Sequence, residues 1–213
     1  MTYTYLLLAT ILFLLSLFLF FNKALKSGKG WKVALPAALI SSILCSSITG
    51  LLVGFQVIIY DTRYITGFFI GNLPFEERIF CLVMPFAGLG IYSSLNLKFP
   101  DNNPDRFSLT VSNLLIGLCI AMVFFGYKIG NIYSISIYVA LAVQLISIEY
   151  IGKLRFMYRF YRFWVIFTLL CWPVYFIVTG LSHIPAYFMA VLLPAVYLFE
   201  LFRSKSLSKI EAE

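Results

Sequence analysis

Seven apolar runs fill most of this chain, each close to the ~20 residues that a helix needs to cross a bilayer core. They are Tyr3–Phe21, Val33–Ile59, Ile79–Leu97, Ser108–Tyr127, Ile132–Tyr150, Trp164–Leu181 and Pro185–Phe202. Lipid offers no partner for backbone N–H and C=O groups, so runs of this length fold as helices. The predicted fold class is all-α, a polytopic membrane helix bundle of about seven transmembrane helices. Only 12% of residues are charged and the mean hydropathy is +0.94, whereas a soluble domain carries about 25% charge. The first run has no positively charged leader and no small-residue cleavage site, so it reads as a retained helix and not a signal peptide.

Charge sets the orientation. Lys23, Lys26, Lys29, Lys32, Lys98, Arg106, Lys153, Arg155, Arg159, Arg162, Arg203, Lys205 and Lys209 fall on one side of the alternation, and only Arg63, Arg78 and Lys128 on the other. This predicts an integral membrane protein, of a bacterial inner membrane, with its N-terminus outside and its C-terminus cytoplasmic. The net charge of +7 then signals contact with anionic headgroups of membrane lipid. No segment resembles a nucleic-acid module, so no nucleic-acid partner is expected. Self-association as a homo-oligomer is compatible with this reading.

The organisation predicted is one membrane domain over 1–213. Ile65-Thr66-Gly67 precedes Leu73-Pro74, Met84-Pro85 and Ile91-Tyr92; later, Val178-Thr179-Gly180 precedes Ile184-Pro185, Leu193-Pro194 and Val196-Tyr197. The echo suggests parallel three-helix repeats: 1–97 holds the first, 98–131 a linker and a fourth helix, 132–203 the second, and 204–213 a flexible tail. Pro36, Pro85, Pro173 and Pro194 lie within helices and should kink them.

Ionisable groups at membrane depth ask for a functional explanation. Setting aside the tail and the polar loop 98–107 leaves Asp61, Glu76, Glu77, Glu149 and Glu200. Glu76 and Glu77 follow Asn72-Leu73-Pro74-Phe75, a helix start with proline in its first turn. One reading is a pair of acids complementing the helix dipole. The other is an active-site acid, and since adjacent residues point about 100° apart, only one of the two should look squarely into the bundle. Glu149 and Glu200 close their helices, where Lys153 and Arg203 can offset them; each reads as an interfacial ion pair or as a second acid. His183 reads as an interfacial hydrogen-bonding residue. With one histidine and four scattered cysteines, no metal site is expected, and Cys45, Cys81, Cys119 and Cys171 read as small buried hydrophobes. The aspartate pairs of a metal-dependent prenyltransferase, the lysine of a retinal protein and the histidine clusters of a desaturase are all missing.

Tyr64–Phe80 (YITGFFIGNLPFEERIF), continued by Leu82–Phe86 (LVMPF) and Ile91-Tyr92, resembles the membrane lycopene cyclase family, the small multi-helix carotenoid cyclases found as two short chains or one fused chain. Tyr3–Leu8 and Trp31–Pro36 also resemble that family's start. The resemblance covers roughly residues 3–95. The sequence departs from the family pattern at several places. A Trp-Asp pair is expected in the second helix, where Ile48 and Thr49 stand. An acid is expected after Ile-Tyr, where Ser93 stands. An I-P-x-E-D motif is expected where Ile184-Pro185 is followed by Ala186 and Tyr187. The terminal acid of the second half is kept as Glu200.

The resemblance implies a redox-neutral cyclisation of a hydrophobic isoprenoid such as lycopene, with no cofactor. A carboxylic acid protonates a terminal double bond, an internal double bond attacks the cation, and a base removes a proton to leave an ionone-type ring. Such chemistry asks for a dry, aromatic-lined pocket. It implies Glu76 or Glu77 as the acid, Tyr64, Phe68, Asn72, Phe80 and Tyr92 as substrate-binding residues, and Glu149 or Glu200 as a second acid. The missing carboxylates leave two alternatives: a cyclase or hydratase for another isoprenoid, such as a meroterpenoid or quinone tail, or a non-catalytic binding or scaffold protein.

Overall fold

The computed structural model describes residues 7, 10, 11, 14, 29–54, 56, 60, 65–99, 105–152, 155–179 and 184–211. The described residues form an all-α bundle. Its helices are α1 (Lys29–Gly54), α2 (Phe75–Lys98), α3 (Asp105–Ile129), α4 (Ile132–Ile146), α5 (Met157–Thr179) and α6 (Ile184–Glu211). Five stretches among them are long and apolar enough to cross a membrane: Lys32–Leu51, Phe75–Lys98, Phe107–Ile129, Ile132–Ile151 and Ala186–Lys205. The predicted first helix, Tyr3–Phe21, falls largely outside the described residues, as do Asp61, Tyr64, Lys153 and His183.

Burial sorts the helices into inner and outer positions. α2 and α6 are the inner pair, with 67% and 61% of their spans buried, while α3 has 17%. The sequence explains the difference. α2 carries Ala87, Gly88 and Gly90 and α6 carries Ala186 and Ala195, all buried, and small residues let helix backbones approach without a solvent-driven hydrophobic term. α3 presents Leu114, Leu118, Phe124 and Phe125 outward, a surface suited to lipid. α6 packs against α1, α2, α4 and α5, and α3 lies mainly along α4. Aromatic rings fill the centre: Phe163 meets Tyr92 edge-on at 5.8 Å, and Phe167 meets Phe188 at 5.5 Å.

Three local features differ from the expectation. α1 stops at Gly54, short of Ile59, where Gln56 takes a φ of 56° and its N–H closes a turn on the Val53 carbonyl. The segment before α2 contains a small antiparallel hairpin, β1 (Phe69–Ile70) with β2 (Leu73–Pro74). Gly71, at φ 65°, supplies the left-handed residue that its two-residue turn requires. The C-terminal end of the fifth run, Ser147–Ile151, is a π-helical turn. α6 continues into the tail and is helical through Glu211; Ser204–Glu211 contains no proline or glycine to end it.

Candidate functional site

Pro74 caps α2, and the helix starts at Phe75 because proline fixes the chain and leaves no N–H to satisfy. Glu76 and Glu77 therefore enter the first turn side by side. Both are buried, at 0% and 2% exposure, whereas helix geometry alone would bury one. The loop makes the difference: it folds over the end of α2, and the Thr66 N–H donates to Glu76 Oε1 at 2.6 Å. The hairpin is anchored in the same place, with the Phe75 N–H donating to the Phe68 carbonyl and the Arg78 guanidinium to the Ile70 carbonyl at 2.8 and 3.0 Å. Glu76 thus belongs to the loop.

Glu77 belongs to the bundle. The Tyr60 hydroxyl donates to its carboxylate, and burial first, then the Glu77 charge, push the Tyr60 phenol well above its ordinary value. One helical turn on, the Cys81 thiol donates to Glu77 Oε1 at 3.9 Å. Cys81 meets Cys45 of α1 with sulfurs 3.0 Å apart, and Cys45 lies 3.6 Å from the Tyr187 hydroxyl of α6. The Tyr133 hydroxyl of α4 is near enough to feel the Glu77 charge. Four helices thus converge on one end of the bundle around a buried carboxyl.

A cavity of about 230 Å³ adjoins this chain of groups. Cys45 and Tyr187 are on its wall, with Ile48 and Thr49 of α1, Ile137 and Ala140 of α4, and Ala190 and Pro194 of α6. A second, more open groove of about 720 Å³ runs along α1 and α2, bounded by Asn72, Leu73 and Arg78.

The remaining predicted residues separate. Phe80 is buried at 1%, one turn from Glu76. Phe68 is 61% exposed and rests on Phe75 at 5.8 Å, and Asn72 is exposed on the open groove. Tyr92 lies fifteen residues along α2 from Glu77, about 22 Å at 1.5 Å per residue, and cannot share reacting atoms with it. There the Tyr92 hydroxyl donates to Glu200 Oε1 at 2.6 Å, with Arg159 at 3.6 Å and Arg203 at 4.0 Å from the same oxygen. Glu149, in the π turn, accepts from Ser112 at 3.0 Å, and Ser112 shares a 2.6 Å contact with the Tyr161 hydroxyl. Glu149 and Glu200 are held at the far end from Glu77. Among the described residues no group of histidines, cysteines and carboxylates is arranged to hold a metal.

The buried acids Glu76 and Glu77 stand at the Asn72-Leu73-Pro74 helix start, within the stretch that carries the family resemblance. Residues 2–95 match the family model for lycopene cyclase. The match takes in α1, the hairpin and nearly all of α2, hence Cys45, Glu76, Glu77, Cys81 and Tyr92; Tyr187 and Glu200 lie beyond it. No curated protein and no solved structure matches the chain. The lycopene cyclase match supports a carotenoid cyclase-like role in a membrane, and the apolar helices suggest lipid around it. Cys45, Cys81 and the cavity were not readable in advance, because nothing in the spacing of the cysteines tells that two helices bring them together. Tyr187 carried a signal, since it stands where the family pattern expects an acid.

Proposed function

We propose that the chain is a membrane cyclase of a linear, lycopene-like isoprenoid, with Glu77 as the proton donor and Glu76 as the residue that fixes the loop over the site. The observation that carries this reading is a carboxyl 2% exposed, connected through the Cys81 and Cys45 thiols to the wall of an apolar cavity. In this reading Glu77 is protonated at the start of the reaction and turns its O–H toward Cys81, the two S–H groups turn in step toward the cavity, and the proton leaves the Cys45 end for the terminal double bond, forming a C–H bond and a tertiary cation and leaving Glu77 as the carboxylate. The internal double bond then forms the ring C–C bond, and a ring carbon releases a proton to the carboxylate left behind. Atoms and charge balance, so the reaction is an isomerisation. The Tyr187 ring, on the cavity wall, can steady a cation by its π face.

Ile48, Thr49 and Tyr187 favour a second substrate within the same chemistry. All three stand where the family pattern expects other groups, including acids, and all three line the cavity. An isoprenoid other than lycopene fits a cavity wall changed in this way.

Expression in a bacterium that accumulates lycopene, followed by chromatography of the pigments, tests the proposal. One- or two-ring carotenes are the expected product. Unchanged lycopene, with the protein shown to be in the membrane, would reject lycopene as substrate, and a panel of shorter linear isoprenoids would then test the remaining reading.

A further inference from the structure

The cavity has a polar end that a hydrocarbon does not require. α1 and α4 both pack on α6 but scarcely on each other, which leaves a slot floored by Tyr187, Ala190 and Pro194. Cys45, Thr49 and Tyr187 lie toward one end of this slot. At the other end stand Ser41 of α1 and Gln144 of α4. Ser41 is 1% exposed, and among the described residues its Oγ has no hydrogen-bond partner; Gln144 Oε1 is buried and equally unpartnered among them.

The contrast with neighbouring serines is informative. Ser42 and Ser47 on α1 and Ser136 on α4 each donate to the carbonyl four residues earlier. That bond is open to any helical serine, yet Ser41 does not make it. Two oxygens from different helices thus border the same space unsatisfied, which native interiors seldom tolerate without something to bind them. An amide oxygen only accepts, so the missing partner of Gln144 is a donor. A hydroxyl on the ligand can donate to Gln144 and accept from Ser41 at once.

We infer that the cavity receives the end of an isoprenoid carrying a hydroxyl, held between Ser41 and Gln144. At about 230 Å³ the space is below the roughly 300–1,000 Å³ of a site that encloses a whole drug-sized ligand, so it takes one end of a chain. Ser41 and Cys45 are four residues apart, about 6 Å along α1, so the hydroxyl sits within a few bonds of the carbons facing the thiol. The inference rests on the isoprenoid reading above and names the class of substrate within it.

The test uses the full chain in detergent and two probes, geraniol and the hydrocarbon that lacks its hydroxyl, at equal concentration in the micelle phase. Binding is read from the shift in thermal stability. Geraniol should bind about tenfold more tightly, the scale of one net hydrogen bond, and the preference should disappear in Ser41→Ala with Gln144→Leu. The wild-type comparison decides the matter even if the double variant does not fold. Equal binding, no binding of either probe, or a preference that survives the double variant would overturn the inference, water then being the partner of both oxygens. A preference without cyclisation of any isoprenoid would keep the hydroxyl site and remove the cyclase reading. Cyclisation of lycopene without a preference would do the reverse.

Discussion

Gly88→Ala tests whether the crossing of α2 and α6 is as tight as it looks. A Cβ at Gly88 would stand 2.5 Å from Leu192 Cδ2 and 3.3 Å from Phe163 Cζ, against about 3.5–4.0 Å for a favourable carbon pair. Leu192 and Phe163 are both at 0% exposure, so neither can swing into open space. Either the helices part by about 1 Å or Leu192 leaves its rotamer. Overpacking of this kind costs about 1–3 kcal/mol, while replacing a helical glycine by alanine returns up to about 1 kcal/mol. The net expectation is a loss of about 1–2 kcal/mol. Leu192→Ala alone should cost about 2–5 kcal/mol, and the double variant should fall short of the sum of the two by about 0.5–3 kcal/mol, because the alanine then fills part of the space vacated. Reversible unfolding in mixed micelles, followed by tryptophan fluorescence, reads all four corners of the cycle. Gly117→Ala on α3, where nothing among the described residues lies within 4 Å of the added Cβ, is the control and should be stabilising. A Gly88→Ala protein as stable as wild type, or an additive double variant, would refute the tight crossing.

Glu77→Gln should reduce cyclised product at least a hundredfold, the lower end of what a general acid contributes, while Glu76→Gln, whose amide oxygen can still accept from the Thr66 N–H, should stay within about tenfold of wild type; pigment yield per unit of membrane protein measures both. Tyr92→Phe removes the donor to Glu200 and should cost about 1–3 kcal/mol in unfolding free energy, yet leave product formation intact, since Tyr92 stands far from Glu77. The Tyr60 phenol, raised above its ordinary value of 10.0 by burial and the Glu77 charge, keeps its proton in the folded state where the unfolded chain releases it. Its contribution is therefore full below about pH 10 and falls as pH rises beyond it. Wild type should lose more thermal stability between about pH 9 and pH 11 than Tyr60→Phe does.

Much of the fold could be read from the chain, because lipid leaves a long apolar run few options other than a helix. The start of α2 was equally legible: Asn72-Leu73-Pro74 fixes where the helix begins, so Glu76 and Glu77 had to fall in its first turn. What periodicity could not give was the loop. Glu76 is held by the Thr66 N–H as the loop folds back, a contact that the pattern of α2 does not encode. The Cys45–Cys81 meeting was hidden for a related reason. Each cysteine suits an apolar helix on its own, and only the packing of α1 on α2 makes them neighbours. Glu149 was placed near its true position, but its partner Ser112 comes from α3, and a pairing thirty-seven residues apart leaves no local trace.

The positions at which the chain leaves the family pattern are themselves informative once placed. Ile48 and Thr49 lie on α1 and Tyr187 on α6, far apart in sequence, yet all three border one cavity. Two departures lie off this wall: Ser93, one residue from Tyr92 at the Glu200 end, and Phe188, which stands at the last acid of the I-P-x-E-D motif and is buried against Phe167. Random loss of function would scatter changes through the bundle and erode its satisfied polar groups. Instead the buried carboxyl Glu77 keeps its hydrogen-bonded surroundings, and Glu200 keeps Tyr92, Arg159 and Arg203. Changes gathered on one wall, with the scaffold around them intact, are what altered substrate fit produces. In this reading the neutral wall and the unpartnered pair Ser41 and Gln144 are two sides of one adjustment: charge has left the end of the cavity near Glu77, and hydrogen-bonding capacity stands at the other. The substrate that follows carries its polarity on itself, as a hydroxyl about one helical turn from the carbons that react.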